Sequence, residues 1–237
     1  MRLVILQSNY IPWKGYFDLL AAADLFVVYD SVQYTKNDWR NRNRLPTATE
    51  PAWLTIPVVV AGRTGQSIRD AEVSDGGRWA AKHWRTVEQL LGSRPHAATY
   101  AGEWERWYDT AASMSHLHEV NGLFLRGLAE QLGITTPIVE DRDHPALEGD
   151  PTARLVQLCR HTGADRYLTG PAGLDYLDRP QFAAAGITLE VIRYDRYPTY
   201  PQRGRTFEHG VSVLDLLANV GPDAAAHLLG DTHVVTP

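Results

Sequence analysis

Residues 1–30 read MRLVILQSNYIPWKGYFDLLAAADLFVVYD. The run RLVILQ is short, apolar and rich in branched side chains, as in a strand buried on both faces. GYFDLLAAAD follows, with Phe17, Leu19, Leu20 and Ala23 spaced along one apolar face of a helix. LFVVYDSV is a second apolar strand. Strand, loop, helix and strand within so short a span make a βαβ unit, so the two strands are expected to be parallel. The loop QSNYIPW then leaves the carboxyl end of the first strand, where ligands of open α/β sheets bind.

The remainder continues the alternation. Strand character recurs at AWLTIPVVV, ITTPIVE, DRYLTG and ITLEVIRYD. WAAKHWRTVEQLL reads as a helix, and so does the stretch from about Ala101 to Leu132, interrupted near SMSHLHE. DPTARLVQLCRHTG is a helix with Asp150 as N-cap, Pro151 in its first turn and Gly163 as terminator. QFAAAG, VSVLDLLANVG and DAAAHLLG read as further helices, and YPTYPQRGRTFEHG as a proline-rich loop that suits a lid. The expectation is one α/β domain over residues 1–237, with a parallel-sheet core, helices on both faces and a helical insertion at about 78–132.

The chain has 237 residues, 44% of them hydrophobic and 22% charged, enough to bury a sizeable core and unlike a disordered composition. A net charge of −5 argues against binding nucleic acid by bulk charge. The single cysteine, Cys159, excludes an internal disulfide and a cysteine metal cage, and its place on an apolar stripe suits an inert buried thiol. The two histidines of HLH, at 116 and 118, diverge on a helix, and no metal site is expected. No signal-peptide pattern and no membrane-length apolar run stand in the sequence, so a cytoplasmic protein is expected.

The opening loop contains neither G-x-G-x-x-G nor G-x-x-x-x-G-K-[ST], which disfavours a dinucleotide or P-loop site. Gly15 lets the backbone come close to a ligand, Tyr10 and Trp13 offer planes for stacking, and Lys14 offers a cation, while Gln7 and Asn9 add hydrogen-bonding groups. Asp30 ends the second strand, so Asp30 and Gln33 are expected beside Gln7 to Tyr10. In WRNRNR an extended chain turns Arg40, Arg42 and Arg44 one way and Asn41 and Asn43 the other. Three guanidiniums on one face suit a phosphate or carboxylate, and equally a solvated edge strand.

The stretch LQSNYIPWKGYFDLLAAADLFVVYDSVQYTKNDWRNRNRL closely resembles the opening of WbqC-like proteins. These begin with a strand, then Q-x-x-Y-x-P-W-x-G-Y-F-D, then D-x-V-Q-Y-x-K-x-x-W-x-N-R-N. WLTIPV, LHEVN, YLTGPAGLDYLD and the closing SVLDLL match as well, so the resemblance covers nearly the whole chain. Lys36 and Trp39 fall on this pattern. So do Glu119 and Asn121, as base and positioner or equally as residues that cap and tie helices, and Thr169, Gly170, Tyr176 and Gln202 at the cleft or its lid. Ser8 departs from it, since proline is common there. The resemblance implies a tailoring enzyme of surface-polysaccharide or natural-product biosynthesis. Its reaction class would be acyl or aminoacyl transfer, or ligation, forming an amide on an amino sugar or amino-acid derivative. Asp30, Glu119 and Tyr10 are then the candidates for handling protons. The donor would be a coenzyme A or carrier-protein thioester, an aminoacyl-tRNA or an acyl phosphate. The alternative is a non-catalytic factor that binds a nucleotide-sugar or a partner enzyme. No cofactor is named by the sequence.

The βαβ opening is also similar, more loosely, to Rossmann-like sheets of the HUP nucleotide-binding type, such as pantothenate synthetase. Those enzymes carry H-x-G-H on this turn, where this chain reads WKGY, and without the histidines standard adenylation is disfavoured.

Overall fold

In the computed structural model, residues 1–204, 206–229 and 233–237 are described. The chain runs β1 (Arg2–Leu6), α1 (Lys14–Ala22), β2 (Leu25–Val28), β3 (Arg42–Leu45), β4 (Ala52–Thr55), α2 (Arg78–Leu91), α3 (Ala97–Ala111) and α4 (Leu117–Gln131). It continues with β5 (Ile138–Glu140), α5 (Pro151–Thr162), β6 (Arg166–Thr169), α6 (Arg179–Ala184), β7 (Thr188–Ile192), α7 (Val213–Val220) and β8 (Val234–Val235). The fold is mixed α/β. Six strands form one sheet in the order β5-β2-β1-β6-β7-β8, in which every pairing is parallel except β7 with β8.

The first βαβ unit forms as its residues dictate, with Leu3 to Leu6 paired in register with Leu25 to Val28. Alternation along the strands separates two cores. Val4, Phe26, Leu168 and Ile192 join a cluster with α1, α4 and α7, in which α2 and α3 also take part. Leu3, Ile5, Val27, Tyr167 and Leu189 join Leu155, Leu158 and Cys159 of α5 and Phe182 of α6. Apolar runs without alternation are what a sheet covered on both faces requires.

Local signals held where they were strongest. Asp150 Oδ1 accepts from the Ala153 N–H at 2.9 Å, and Gly163 takes the left-handed conformation (φ 73°) that ends α5. The break expected near SMSHLHE separates α3 from α4. Three expectations are corrected. The strand at AWLTIPVVV stops at Thr55, because Asn41, opposite Ile56, turns its N–H back to the Asp38 carbonyl and Pro57 has none to give. β3 and β4 stand apart as a two-stranded antiparallel ribbon. The DAAAH part of DAAAHLLG lies in a 3-10 turn, Gly221–His227, opened by glycine and proline, which do not propagate an α-helix, while its last residue, Gly230, lies outside the described residues.

Sheet order reverses at β1: the chain moves from β1 to β2 on one side and later to β6 on the other. Loops leaving the carboxyl ends of β1 and β6 therefore diverge and open a crevice. The segment after β1, residues 7–13, occupies this place.

Candidate functional site

The segment after β1 is fastened from every side. The Ser8 N–H donates to Asp30 Oδ1 at 2.8 Å, and the Tyr10 N–H to the Trp39 carbonyl at 3.0 Å. Arg40 donates to Asn9 Oδ1 at 2.7 Å, and the Tyr16 hydroxyl to the Gln7 carbonyl at 3.1 Å. Asn43 donates to the carbonyls of Tyr10 and Ile11 at 3.1 and 2.9 Å. Ile11 has a φ of 38°, an unusual conformation for a branched residue, and such strain persists only where surrounding contacts over-determine it.

Above this segment lies an open cleft of about 280 Å³ lined by Asn9, Pro12, Trp13, Trp39, Asn43, Arg44 and Gly210. Trp13 and Trp39 supply apolar surface, and the asparagines and Arg44 supply hydrogen-bonding groups. Arg44 is held by Glu208 at 3.0 Å and by the Gly210 carbonyl at 3.0 Å, which join β3 to the chain before α7. Trp13 packs edge-on against Tyr194, with centroids 5.0 Å apart.

The residues expected to carry chemistry separate into groups. Gln7, Asn9, Trp13, Trp39, Arg40 and Asp30 are brought together around the opening segment. Asp30 is 1% exposed, and its Oδ2 has no hydrogen-bond partner among the described residues. Burial pushes its carboxyl up, opposed by hydrogen bonding from Ser8. Asn121 lies beneath the segment, donating to Ser8 Oγ at 3.0 Å and to the Arg40 carbonyl at 2.9 Å. Asn41 is buried and donates to the Ile56 carbonyl at 2.8 Å. Gly15 underlies the Trp13 ring, and a Cβ there would stand 2.2 Å from it.

Other expected residues stand elsewhere. Tyr10 is fully buried, and its hydroxyl meets His83 Nδ1 and the Tyr108 hydroxyl, both at 2.9 Å. Its ring is therefore drawn down among the helices, away from the cleft where stacking was expected, because Trp79, His83 and Phe124 offer an aromatic socket. Glu119 caps α4, accepting the His116 N–H at 3.0 Å, so its carboxylate serves a helix end. Gln33 and Lys36 are exposed, with Gln33 bridged to Ser67. Thr169 is buried at the end of β6, and Gly170 faces the Tyr194 hydroxyl. Tyr176 is 68% exposed. Gln202 donates to Asp215 Oδ2 at 2.7 Å and accepts the Glu208 N–H at 2.8 Å, which braces the proline-rich loop.

Lys14 is a separate finding. It is the first residue of α1 and only 2% exposed, with Nζ 4.4 Å from the Tyr197 ring centre and 5.5 Å from those of Tyr200 and Phe207. Burial lowers its pKa to about 8, against the opposing pull of Asp18 and Asp215. The Tyr197 hydroxyl donates to Asp18, and the Tyr200 hydroxyl to Asp215 at 2.9 Å. The proline-rich loop thus forms a braced aromatic roof over the amine. Cys159 is buried, and desolvation pushes its thiol up to about 12. Among the described residues no three histidine, cysteine or carboxylate side chains are grouped to hold a metal ion, and no helix is long and apolar enough to cross a membrane.

Residues 7–227 match the profile of the WbqC-like protein family. The chain belongs to that family. It is also 40% identical, over 227 residues, to the uncharacterised protein Rv1507c of Mycobacterium tuberculosis, covering 96% of this chain and 97% of that one. No solved structure matches the chain significantly. The WbqC-like match begins at Gln7, so it takes in the whole opening segment and the ribbon that carries Trp39, Asn43 and Arg44. Gly210 had no sequence signal, since it reaches the cleft from 166 residues beyond Arg44. Arg44 was visible in the WRNRNR alternation, although not as the cleft's guanidinium.

Proposed function

We propose that this chain is a biosynthetic tailoring enzyme that binds a small molecule in the cleft above residues 7–13 and forms an amide on its amine. The carrying observation is the cleft itself: two indoles, two asparagines and Arg44 around one opening, at the point where sheet order reverses. That order also suits a Rossmann-like description. A volume of about 280 Å³ is near the lower end of ligand sites, which run from about 300 to 1,000 Å³. It suits a single sugar ring or an amino acid. The acyl or aminoacyl chemistry comes from the resemblance to WbqC-like proteins.

Amide formation needs a base for the incoming amine. Of Asp30, Glu119 and Tyr10, Asp30 fits best, because it lies against the opening segment with one oxygen unpartnered among the described residues. Its burial equally favours a second reading, in which Asp30 only braces the loop and the cleft binds a nucleotide-sugar or partner without turnover.

A thermal-shift panel of ATP with magnesium, acetyl coenzyme A, nucleotide-linked amino sugars and amino acids tests the cleft. A ligand at a hundredfold excess over its Kd stabilises by about 2.7 kcal/mol, a readable shift. Trp13→Ala should abolish the shift. If no member of the panel shifts the native protein, the small-molecule cleft fails. For a ligand that binds and reacts, Asp30→Asn should lower kcat while binding persists; an unchanged rate removes Asp30 as the base.

A further inference from the structure

We propose that the outer face of the β3–β4 ribbon binds a nucleotide, with the base against Trp53 and Trp39 and the phosphate on Arg42. The proposal rests on the reading above only for what fills the adjoining cleft.

The ribbon has two unlike faces. Asn43, Leu45 and Leu54 are buried against the body of the protein. Arg42, Arg44 and Trp53 alternate with them and point the other way. Trp53 is 46% exposed and Trp39 40%, and their rings lie 5.6 Å apart at 32°. Arg42 and Arg44 lie beside these rings, 4.4 Å from the Trp53 centre and 6.0 Å from that of Trp39, and the indole surface they leave open adjoins the cleft.

The guanidiniums decide the class of ligand. Arg44 is committed to Glu208 and Gly210, as above. Arg42 lies 4.4 Å above the Trp53 ring, and among the described residues it makes neither an ion pair nor a hydrogen bond. Its five N–H donors are therefore available to an anion, which arginine grips in a bidentate manner. A ligand that uses both features presents a flat apolar ring and an anionic oxygen a few ångströms away. A nucleotide does this: its base stacks on aromatic side chains and its phosphate meets arginine. A neutral sugar would leave Arg42 unused. A long polyanion is opposed by the net charge of −5.

Trp39 connects the two places, lining the cleft on one side and contacting Trp53 on the other. The cleft is too small for an entire nucleotide-linked group. A nucleotide on the ribbon would leave its attached group to enter beside Trp13.

The test is calorimetry and tryptophan-fluorescence titration of the full chain with AMP, UMP, the nucleosides adenosine and uridine, inorganic phosphate, and a single-stranded oligonucleotide. At least one monophosphate should bind and quench emission. Trp53→Ala should weaken it about tenfold or more, on the order of one stacking contact. Arg42→Gln should weaken the monophosphate about tenfold and leave the nucleoside unchanged. Both side chains are on the surface, and circular dichroism of each variant should match the native chain. The proposal is overturned if no nucleotide binds at millimolar concentration, or if both variants bind as the native chain does. Inorganic phosphate binding as tightly as the monophosphate would overturn it as well, because the base would then contribute nothing. So would an oligonucleotide binding far more tightly with steep salt dependence, because the surface would then be a nucleic-acid interface. Ligand shifts lost in Trp13→Ala but kept in Trp53→Ala would leave the cleft standing and sink the platform alone.

Discussion

Asn43 donates its side-chain amide to the carbonyl of Ile11 at 2.9 Å, and Ile11 there holds a φ of 38°. A residue on the ribbon thus holds the segment after β1 in a conformation its own sequence disfavours. The same amide reaches the Tyr10 carbonyl, so a single side chain satisfies two acceptors of the cleft floor.

Asn43→Ala should remove both bonds and leave the carbonyls buried. The expected loss is about 1–3 kcal/mol in urea denaturation. Ligand affinity should fall further than stability alone explains, because the Ile11 strain would relax and move Pro12 and Trp13. Asn43→Asp, which keeps the shape without the donors, should behave like the alanine variant. If it binds as the native chain does, the amide is not what holds the loop.

Asp30 carries a pH signature. Burial is the leading cause of its raised pKa, so the folded state holds the proton more firmly than the unfolded one. Its contribution to stability is therefore complete below the unfolded carboxyl value and declines as pH rises through the folded one. Asp30→Asn keeps an oxygen for the Ser8 N–H and does not titrate. Its melting temperature relative to the native chain should improve from about pH 4, near the ordinary value, toward neutrality. A constant difference across that range would show that Asp30 does not carry the titration.

Lys14 gives the opposite slope. Burial lowers its pKa to about 8 from a usual 10.5, so between these values the unfolded state holds more protons and stability rises with pH. Below about pH 8 the full cost of the buried ammonium applies. Lys14→Met should be relatively most favourable near pH 7 and lose that advantage by about pH 10. Denaturation at the two pH values checks this, and an advantage that does not narrow counts against a neutralised amine.

Gly15 is required by packing rather than by backbone conformation. A methyl there would meet the Trp13 ring at 2.2 Å, with Tyr194 and Tyr197 behind the indole. Gly15→Ala should cost about 1–3 kcal/mol, shift tryptophan emission and shrink the cleft. An unchanged emission spectrum would show that Trp13 accommodates the methyl in place.

The first βαβ unit was legible because its signals are local: apolar runs of strand length, helical spacing and a short connection. The cap at Asp150, the stop at Gly163 and the break between α3 and α4 were legible for the same reason. Parallel pairing then placed the opening segment at the carboxyl end of the sheet and Asp30 beside it. The partners of individual side chains were not legible. Tyr10 looked like a stacking residue and lies in an aromatic socket with His83 and Tyr108. Glu119 read equally as a base or a helix cap, and its carboxylate is found capping α4.

The sequence by itself determined the order of elements, their parallel start and the crowding of aromatic and amide groups after β1, since short-range sterics and periodicity set these. Tertiary structure alone decided which groups face the cleft, that Arg44 answers to Glu208 and Gly210, and that Lys14 lies beneath Tyr197 and Tyr200. Those contacts join segments more than a hundred residues apart. Whether such a side chain finds solvent, a carboxylate or an aromatic ring depends on what the rest of the chain packs against it, which no local pattern encodes.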